Sequence, residues 1–503
     1  MRENRETELD MNGLERQSRF DRSDDVVVMK FGGTSVEDAA AIRRLIGIVR
    51  GRIGSQPVVV VSALALVTDQ LLEAGSAAAQ GHLGSALAAV RSIYVRHEQL
   101  ADSLVDDSAY SALDRELRGE FRQLESLLQD LAAVGRLDLK SQDHLLGFGE
   151  CFSGRLVKEA LCQAGINAAH VDARTCIVTD GRHGQASPVW DATDQRIQET
   201  VSPLLERGLV PVLGGFIAST CDGVPTTLGR GGSDFSAAIV AAALCASRLE
   251  IWTDVDGIMT TDPKLCPDAR VIRRMSFDEA AELAHFGAKV LHPATLAPVM
   301  RHNIPVYVLN SRRPENEGTE IVGRAKTGNV VSAITAKRGV AAVEIESALG
   351  INSELLHAVY AAFDRHFCPV DVMATSLGRI SLLVGSTAAL PAIAADLRGV
   401  AWVTGEVRWE NHRALVCLVG ENIRRQPELA SRVFAAVSDM DVRVVCQDAS
   451  DRTISFLVEE SKLEEAVQRL HGIFFPQREP ERDWGGLSSA FCQAGYNNVG
   501  GQP

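Results

Sequence analysis

A short segment near the start of the chain has the residue types that a phosphate site needs. Lys30, Gly32 and Gly33 follow an apolar run directly, in the order Lys-Phe-Gly-Gly. Glycines let backbone N–H groups approach an anion closely, and a lysine adds a positive point charge. The chain contains no GxxxxGK[ST] sequence, so this is not the phosphate loop of the P-loop NTPases. Two interpretations stay open: a phosphate site, or only a tight turn between a strand and a helix.

A second glycine-rich segment, residues 228–234, reads Leu-Gly-Arg-Gly-Gly-Ser-Asp. It precedes a helix that we expect to begin near Phe235, and the unpaired N–H groups of a helix N-terminus attract anions. Arg230 adds a positive charge to this segment. The alternative is an ordinary helix cap, in which the side chain of Ser233 or Asp234 accepts a hydrogen bond from the first turn.

Polar residues also follow other apolar runs. Ser62 and Thr68 lie in the segment after the second predicted strand, and Glu150 lies at an expected helix start. Residues 252–257 leave another predicted strand toward residues 260–263. Open α/β sheets bind ligands at the carboxyl ends of their strands. We therefore expect a shared cleft, although each of these segments also fits an ordinary turn or cap.

Apolar runs that alternate with helical patterns supply the elements for such a cleft. The runs lie at 26–29, 58–61, 209–212, 249–252 and 305–308. Their alternation with helices predicts an α/β domain whose central sheet is mostly parallel and lies between helices. Residues 83–135 carry apolar residues at helical spacing with charges between them, which predicts an antiparallel helical insertion.

The C-terminal part contains an internal repeat. The pattern around Ile380 and Ser381 recurs around Ile454 and Ser455. Each copy lies between two helical patterns, so each unit is predicted to be an α+β domain with the order βαββαβ. The alternative is a coincidence between two amphipathic strands.

Composition narrows the class of protein. With 503 residues, of which 46% are apolar and 23% charged, the chain is expected to be globular and to have more than one domain. The apolar run at 237–246 is far shorter than the roughly 18 residues of a membrane span, so we expect no membrane segment. A net charge of −14 disfavours nucleic-acid binding but permits a local anion site.

The two ends and the cysteines suggest a cytoplasmic protein. Residues 1–25 are rich in charge and lack the apolar stretch of a secretory signal, which predicts a disordered arm. Residues 477–503 predict a flexible tail. Ten cysteines are scattered without a CxxC pair, a pattern typical of a reducing compartment rather than of disulfides or a zinc site.

Several sequence blocks occur in an order that resembles a known family. They are MKFGGTSV, VVVSA, GFGE, TTLGRGGSD, IWTDVDGI, TTDP and FGAKVLHPAT. Over about residues 26–476 the chain resembles the aspartate kinases of the amino-acid kinase superfamily, and it is most similar to the monofunctional, lysine-regulated type. The resemblance implies transfer of the ATP γ-phosphate to the β-carboxylate of L-aspartate, the first step of lysine, threonine, methionine and diaminopimelate biosynthesis. Two alternatives stay open: a kinase of glutamate, acetylglutamate or uridylate, and a catalytically silent amino-acid sensor.

The resemblance also implies how the chain is divided. It places an amino-acid kinase fold at residues 26–312 and a linker at 313–330. Two ACT domains follow: the first spans 337–411, and the second is built from 331–336 together with 412–476. Because ACT domains in that family pair between subunits, we expect a homodimer or a dimer of dimers.

The resemblance assigns roles to the polar residues. Lys30 would stabilise the phosphoryl group in transfer, and Asp234 would orient that lysine. Backbone N–H groups of Gly32 and Gly33 would bind the phosphates. Contacts to aspartate are implied for Ser62, Thr68, Glu150, Arg230, Gly231, Gly232 and Ser233, with Arg230 at the α-carboxylate and Glu150 at the α-ammonium group.

The nucleotide side is implied in the same way. ATP contacts fall on Lys30, Phe31, Gly32, Gly33, Thr253, Asp254, Met259, Lys264 and Lys289. Mg²⁺ would bridge the phosphates, and no metal ligand from the protein is assigned. Relatives often have Tyr where Met259 stands and Arg where Lys264 stands. They usually have Gly or Ser where Ala65 and Leu66 stand, so the substrate loop departs from the family pattern.

An amino-acid effector, lysine or threonine, is implied for the ACT domains. Its contacts would come from Leu349, Asn352, Ser353, Leu356, Val370, Asp371 and Thr375, with Asp371 at the effector ammonium group. Lysine-sensitive relatives commonly have Glu where Leu377 stands and Gly where Glu354 stands. Two outcomes stay open: weak lysine inhibition or a change to another effector such as threonine, and normal lysine inhibition with Glu354 pointing to solvent.

Overall fold

The computed structural model describes residues 26–287, 291, 293–325, 330–447 and 451–476. The predicted arm at 1–25 and tail at 477–503 lie outside the described residues, and so does Lys289. Within the described part of the chain, no helix combines the length and the apolar character that crossing a membrane requires.

The N-terminal part is built around one large sheet. Its strands, with those of a small three-stranded sheet, are β1 (Val27–Phe31), β2 (Pro57–Val61), β3 (Ala168–Val171), β4 (Val178–Thr179), β5 (Val210–Gly214), β6 (Ile217–Thr220), β7 (Pro225–Thr227), β8 (Arg248–Thr253), β9 (Arg274–Ser276), β10 (Val306–Asn310) and β11 (Thr319–Val322). The large sheet has the order β3-β5-β2-β1-β8-β10-β11-β9, and only the pair of β10 and β11 is antiparallel. The predicted, mostly parallel central sheet is confirmed.

Helices cover both faces of this sheet. They are α1 (Ala39–Arg50), α2 (Val67–Ala79), α3 (Leu83–Leu104), α4 (Asp107–Val134), α5 (Leu139–Gln163), α6 (Ala173–Cys176), α7 (Trp190–Glu206), α8 (Gly232–Ala243), α9 (Phe277–His285) and α10 (Pro293–Arg301). Successive strand residues point to opposite faces. Val28 therefore packs with α8 in one core, while Val27 and Met29 pack with α1 and α5 in the other.

The predicted helical insertion consists of α3 and α4. Helix α4 buries one stripe, which includes Leu113, Leu117 and Phe121, at the spacing of an amphipathic helix. This stripe belongs to the same core as the buried residues of α5. The insertion is therefore packed on the sheet domain and forms part of its core.

Strand β1 is longer than predicted at its carboxyl end. It includes Lys30 and Phe31, because Lys30 pairs with Val60 on one side and with Ile251 on the other. The glycine-rich turn thus begins only at Gly32. The consequence is that Lys30 is fixed by the central strands of the sheet.

The linker predicted at residues 313–330 is wrong for part of its length. Strand β11 lies inside that range and extends the large sheet by pairing antiparallel with β10, with Val306 opposite Ile321. Thr319 and Ile321 are fully buried, while the residues between and after them are partly exposed. This alternation spans a four-residue strand, which is too short to stand out in the sequence.

The C-terminal part forms a second sheet with helices. Its elements are β12 (Ala333–Glu346), α11 (Ser353–Arg365), β13 (Val370–Ser376), β14 (Arg379–Val384), α12 (Leu390–Leu397), β15 (Arg408–Val419), α13 (Pro427–Ala436), β16 (Arg443–Gln447), β17 (Thr453–Glu459) and α14 (Leu463–Phe474). The strands pair antiparallel in the order β13-β14-β12-β15-β17-β16.

Strands β12 and β15 each serve two units. The second half of β12 pairs with β14, with Ala341 opposite Val384, while its first half pairs with the end of β15, with Ala333 opposite Val419. The end of β15 pairs in turn with β17. The two predicted βαββαβ units are confirmed, and the later unit takes one strand from residues that precede the earlier unit.

Candidate active site

A cavity of about 360 Å³ lies at the carboxyl ends of β1 and β2, against the N-terminus of α8. It brings together most of the residues predicted to contact aspartate or the transferring phosphate. Those that line it are Lys30, Gly33, Ser62, Thr68, Glu150, Gly231, Gly232, Ser233 and Asp234. These residues come from four separate segments of the chain, and the parallel sheet brings the segments to one edge.

Lys30 and Asp234 form an ion pair in this cavity. Lys30 Nζ lies 2.5 Å from Asp234 Oδ1, and the two side chains are only 12% and 13% exposed. Asp234 belongs to the first turn of α8, where the helix dipole favours a negative charge. The pair therefore holds a positive charge in a fixed place beside a helix N-terminus.

The N-terminus of α8 differs from the prediction. The helix begins at Gly232 rather than near Phe235, and Gly231 occupies the cap position with φ of 71°. This left-handed conformation is readily adopted by glycine. The alternative in which Ser233 or Asp234 caps the helix is wrong, because Gly231 is the cap residue and both of these residues lie inside the first turn. Because Gly232 N donates to the carbonyl of Gly229 at 3.0 Å, an anion would bind at the N–H groups that follow it in the first turn.

The two glycines after β1 have different environments. Gly32 N donates to the carbonyl of Trp252 at 3.1 Å, which continues the pairing of β1 with β8. Gly33 lies against the loop after β2, where a Cβ atom would come within 3.0 Å of the carbonyl oxygen of Ala63. Of the two, only Gly33 lines the cavity, so the amide of Gly32 has a structural use that the sequence did not predict.

Glu150 is the buried carboxyl group of the cavity. Its side chain is 3% exposed, and Oε2 has no hydrogen-bond partner among the described residues. Burial raises the pKa of Glu150 to about 8, while a backbone hydrogen bond from Ala63 and the charge of Lys30 act in the opposite direction. A buried carboxylate without a partner is unfavourable, so this position suits a cationic group of a ligand.

The prediction that Glu150 lies at a helix start is wrong. Helix α5 begins at Leu139, where Asp138 Oδ1 accepts a hydrogen bond from Ser141 N at 2.8 Å, so Gly149 and Glu150 lie in the middle of the helix. A Cβ atom at position 149 would lie 2.8 Å from Ala63 Cβ. Gly149 is therefore required for close packing between α5 and the loop after β2.

The loop after β2 is held by backbone hydrogen bonds and by the helical insertion. Ser62 N donates to the carbonyl of Phe31 at 3.0 Å, and the carbonyl of Ser62 accepts from Ser153 Oγ at 2.8 Å. Arg96 of α3 donates to the carbonyl of Ala65 at 2.7 Å and to the carbonyl of Glu37 at 2.9 Å. The sequence alone did not indicate Arg96, because its partners are distant in the chain.

Leu66 has an uncommon conformation in the same loop. Its φ is 72° and its side chain is 68% exposed. The left-handed region is unfavourable for a leucine and readily adopted by glycine. The departure from the family pattern at this position thus has a backbone consequence, and Leu66 itself lines the cavity.

Other predicted residues lie outside the cavity. Arg230 is exposed and does not line it, although Gly229 and Gly231 on either side do. Thr253 ends β8, and Asp254, Met259 and Lys264 follow it; these residues do not line the cavity either. The structure therefore separates the predicted nucleotide contacts after β8 from the cavity that contains Lys30.

Phe216 and Asp69 line the cavity, although the sequence analysis did not select them. Phe216 follows the carboxyl end of β5, the same kind of position that selected Ser62 after β2. Its amide donates to Ser236 Oγ at 2.9 Å, which fixes it against α8. Phe216 could have been selected because it follows the carboxyl end of a strand. No feature of the sequence distinguishes the exposed Asp69 in this way.

The predicted effector residues lie around the first C-terminal unit. Asp371 Oδ2 is 2.6 Å from Lys337 Nζ, so this carboxylate is already paired with a lysine of the chain. Asn352 caps α11 by accepting from Leu355 N at 2.8 Å. Glu354 is exposed and accepts a hydrogen bond from Trp402 Nε1 at 3.0 Å. Leu349 and Thr375 are exposed, whereas Leu356 and Val370 are partly buried.

Comparison with known proteins identifies the family. Residues 25–310 match the amino acid kinase family, and residues 416–474 match the ACT domain. The chain is 34% identical over 460 residues to lysine-sensitive aspartokinase 3 of Escherichia coli (strain K12), which covers 90% of this chain and 99% of that protein.

Solved structures agree with this result. The structure of E. coli aspartokinase III in complex with aspartate and ADP has a TM-score of 0.78 at 33% identity and covers 90% of this chain and 100% of that one. The complex of E. coli aspartokinase III with lysine and aspartate has a TM-score of 0.75 at 34% identity, with 90% and 99% covered. The chain therefore belongs to the amino acid kinase family, among the aspartokinases with C-terminal ACT domains.

Proposed function

We propose that this protein is an ATP-dependent aspartate kinase, which converts L-aspartate and ATP to 4-phospho-L-aspartate and ADP. The observation that carries the proposal is the arrangement of charge in one cavity. The Lys30 ammonium group and the N-terminus of α8 line the cavity and suit a negatively charged phosphoryl group. The buried carboxyl group of Glu150 lies in the same cavity and suits the α-ammonium group of an amino acid.

The reaction needs charge neutralisation and alignment more than it needs a base. The β-carboxylate of aspartate has a reference pKa of about 3.9, so this nucleophile is ionised at neutral pH. Lys30 and the N–H groups of α8 would reduce the repulsion between the carboxylate and the γ-phosphate. Asp234 would hold the Lys30 ammonium group in place through the 2.5 Å contact.

Substrate recognition would follow from the remaining residues of the cavity. Binding of the substrate ammonium group would give the buried Glu150 carboxylate the partner that it lacks. Ser62, Thr68 and Ser233 would supply neutral hydrogen bonds, and the amide of Gly231 would supply an N–H donor. Gly232, whose amide donates to the carbonyl of Gly229 at 3.0 Å, would contact the substrate without that hydrogen bond. Arg230 is proposed for the substrate α-carboxylate, because its planar guanidinium group can bind a carboxylate through two hydrogen bonds. Since Arg230 is exposed here, binding would require its side chain to turn toward the cavity.

The nucleotide is proposed to extend from the cavity toward the segment after β8. Lys30 and Gly33 would contact the phosphates, near Phe31 and Gly32 at the end of β1. The proposed contacts beyond the phosphates are Thr253, Asp254, Met259, Lys264 and Lys289, of which Lys289 lies outside the described residues.

Magnesium is proposed to arrive with the nucleotide. Among the described residues, no group of three or more His, Cys, Asp or Glu side chains could hold a metal ion. Phosphate oxygens and water would supply the Mg²⁺ ligands, as they commonly do in kinases. When bound, it would neutralise the charge of the β- and γ-phosphates.

We further propose amino-acid feedback through the C-terminal units, with lysine or threonine as the effector, and a homodimer or dimer of dimers. Strand β13 is an edge of the regulatory sheet, and an exposed edge is suited to pairing with a second copy. Phe367 and Leu377, at either end of this strand, are almost completely exposed. Large exposed apolar side chains beside an open edge support an interface there.

A substrate comparison tests the proposed function. ADP release is measured with ATP, Mg²⁺ and one acceptor at a time: aspartate, glutamate, acetylglutamate or uridine monophosphate. We expect turnover with aspartate and at most about a hundredth of that kcat/KM with the other acceptors. Preferred turnover of another acceptor would contradict the choice of substrate. No turnover with any acceptor would support a silent sensor.

A further inference from the structure

We propose that Asp143 is a positioning residue for aspartate binding, because it fixes residues 228–231, the glycine-rich loop that precedes α8, relative to the helix that carries Glu150. Asp143 is 2% exposed and does not line the cavity, so it would act through other residues. This inference rests on the proposed function.

Asp143 connects three segments of the chain. Its Oδ1 accepts hydrogen bonds from Thr227 Oγ1 at 2.5 Å and from Gly184 N at 3.1 Å. Its Oδ2 accepts from Gly184 N at 3.0 Å and lies 2.8 Å from His183 Nδ1, which donates in the tautomer that is protonated at Nδ1. An ionised carboxylate, which only accepts, fits these partners. Asp143 thereby joins helix α5, the loop at residues 180–187 and the end of β7.

Two of the connected segments, α5 and β7, carry or directly precede residues proposed to bind the substrate. Asp143 and Glu150 are both on α5, seven positions apart, and residues at that spacing lie on the same face of a helix. Thr227 is the last residue of β7, and the glycine-rich loop follows it. The carboxylate of Asp143 therefore ties the wall that contains Glu150 to the start of the loop that contains Arg230.

The loop at residues 180–187 supports the glycine-rich loop from a second side. Gly229 has φ of 74°, and a Cβ atom there would lie 3.2 Å from both the carbonyl oxygen of Gly184 and Cγ of Gln185. Because Asp143 binds Gly184 N, it also fixes the surface on which Gly229 rests. Loss of this carboxylate would release the glycine-rich loop at Thr227 and at Gly229 together.

The expected result is a selective loss of aspartate affinity. The glycine-rich loop and Glu150 must hold the two ends of one small molecule, so a shift between them weakens its binding. The Lys30–Asp234 pair is held by β1 and by α8 itself, so chemistry and ATP binding should change less. A purely structural role of Asp143 would instead lower the melting temperature without changing the KM for aspartate more than the KM for ATP.

The test measures steady-state kinetics and thermal unfolding of the full chain. Thr227→Val and Asp143→Asn are each expected to raise the KM for aspartate about tenfold, with the KM for ATP changed less than about twofold. Thr227→Ser keeps the hydroxyl group and should restore the wild-type KM for aspartate.

Thr193→Val is the matched control. Thr193 is fully buried, and its hydroxyl group bonds to the amide and carbonyl of Val178 rather than to Asp143 or to a residue of the glycine-rich loop. This variant should lower the melting temperature without raising the KM for aspartate. If Asp143→Asn does not fold, the comparison of Thr227→Val with Thr227→Ser decides.

Two results would overturn the role of Asp143 while leaving the proposed function intact. One is an unchanged KM for aspartate in Thr227→Val, with the wild-type protein active on aspartate in the same assay. The other is an equal rise in the KM for aspartate in Thr193→Val. Absence of wild-type turnover with aspartate would instead contradict the proposed function.

Discussion

The side chains of Thr260 and His471 join the two parts of the protein through a buried hydrogen bond, with Thr260 Oγ1 2.9 Å from His471 Nε2. Thr260 lies on the segment after β8 that we propose for nucleotide binding, and His471 lies on α14 of the later regulatory unit. The carbonyl of Thr260 also accepts from Ile334 N of β12 at 2.7 Å. The proposed nucleotide segment is thus bonded to two elements of the regulatory sheet domain.

The first prediction concerns His471. His471→Phe keeps an aromatic ring but removes the bond to Thr260, so we expect the KM for ATP to rise about fivefold and inhibition by the effector to weaken. Initial rates at varied ATP, with and without effector, measure both. His366→Phe is the control, because His366 bonds to Asp396 inside the earlier unit. Equal changes in both variants would contradict a role of the Thr260–His471 bond in coupling the later regulatory unit to the nucleotide segment.

The second prediction concerns Lys30. Its ammonium group is held at the end of β1 by Asp234, where it would face the transferring phosphoryl group. A positive charge aimed at the transition state contributes several kcal/mol, so Lys30→Ala should lower kcat by at least about a hundredfold. Lys158→Ala, which removes a lysine of α5 outside the cavity, should keep normal turnover. Near-normal kcat in Lys30→Ala, with an unchanged circular dichroism spectrum, would contradict the role of Lys30.

The third prediction is a pH dependence caused by Glu150. Burial raises its pKa to about 8 in the folded protein, above the ordinary value of 4.5. Between these values the folded protein binds more protons than the unfolded chain, so the free energy of unfolding falls as pH rises through this window. Glu150→Gln removes the carboxyl group that titrates, so its free energy of unfolding should not fall for this reason. We therefore expect its melting temperature to exceed that of the wild-type protein increasingly from about pH 5 to about pH 8.

The control for this pH series is Glu73→Gln, because Glu73 is exposed on α2. Its melting temperature should follow the wild-type curve at every pH. The same titration should affect binding, since the substrate ammonium group needs the ionised form of Glu150: the KM for aspartate should fall as pH rises toward about 8. A difference between Glu150→Gln and wild type that does not change with pH would contradict this explanation.

Much of the fold could be predicted from the sequence because its signals are local. Apolar runs predicted β2 and β8 to within a few residues, and helical spacing predicted the insertion of α3 and α4. Strand β11 was missed because it is short. Glu150 was placed at a helix start, whereas Gly147 and Gly149, a residue type that disfavours a helix interior, both lie inside α5. Gly149 is present there because α5 packs against Ala63, a contact that local sequence does not reveal.

In the candidate site, too, residue types could be selected from the sequence, whereas contacts between distant residues could not. The types of Lys30, Glu150 and Asp234 could be selected from sequence, and the structure places all of them in one cavity. The use of the Gly32 amide by Trp252, and the bonds of Asp143 to Thr227, join residues that are far apart in the chain. Such contacts depend on how the sheet assembles, so the sequence could not show them.

The last prediction concerns the effector. Asp371, proposed for the effector ammonium group, is paired with Lys337 at 2.6 Å, so a lysine ligand would have to displace a lysine of the chain. We propose that the effector carboxylate binds the backbone N–H groups near Asn352 and Ser353. Glu354 follows them in the first turn of α11, where it bonds to Trp402 and would repel that carboxylate. Both contacts favour weak lysine inhibition or a different effector such as threonine. We expect half-inhibition only above about 1 mM lysine.

Lys337→Met tests the cause of this weak response. It removes the internal partner of Asp371, so it should lower the lysine concentration for half-inhibition about tenfold, which corresponds to about 1.4 kcal/mol. Lys462→Met removes an exposed lysine that pairs with Glu465 and should leave the response unchanged. Lysine and threonine are titrated separately and then together against the initial rate. Half-inhibition of the wild-type protein by submillimolar lysine alone would rule out this explanation, because the Lys337–Asp371 pair would then not compete with the ligand.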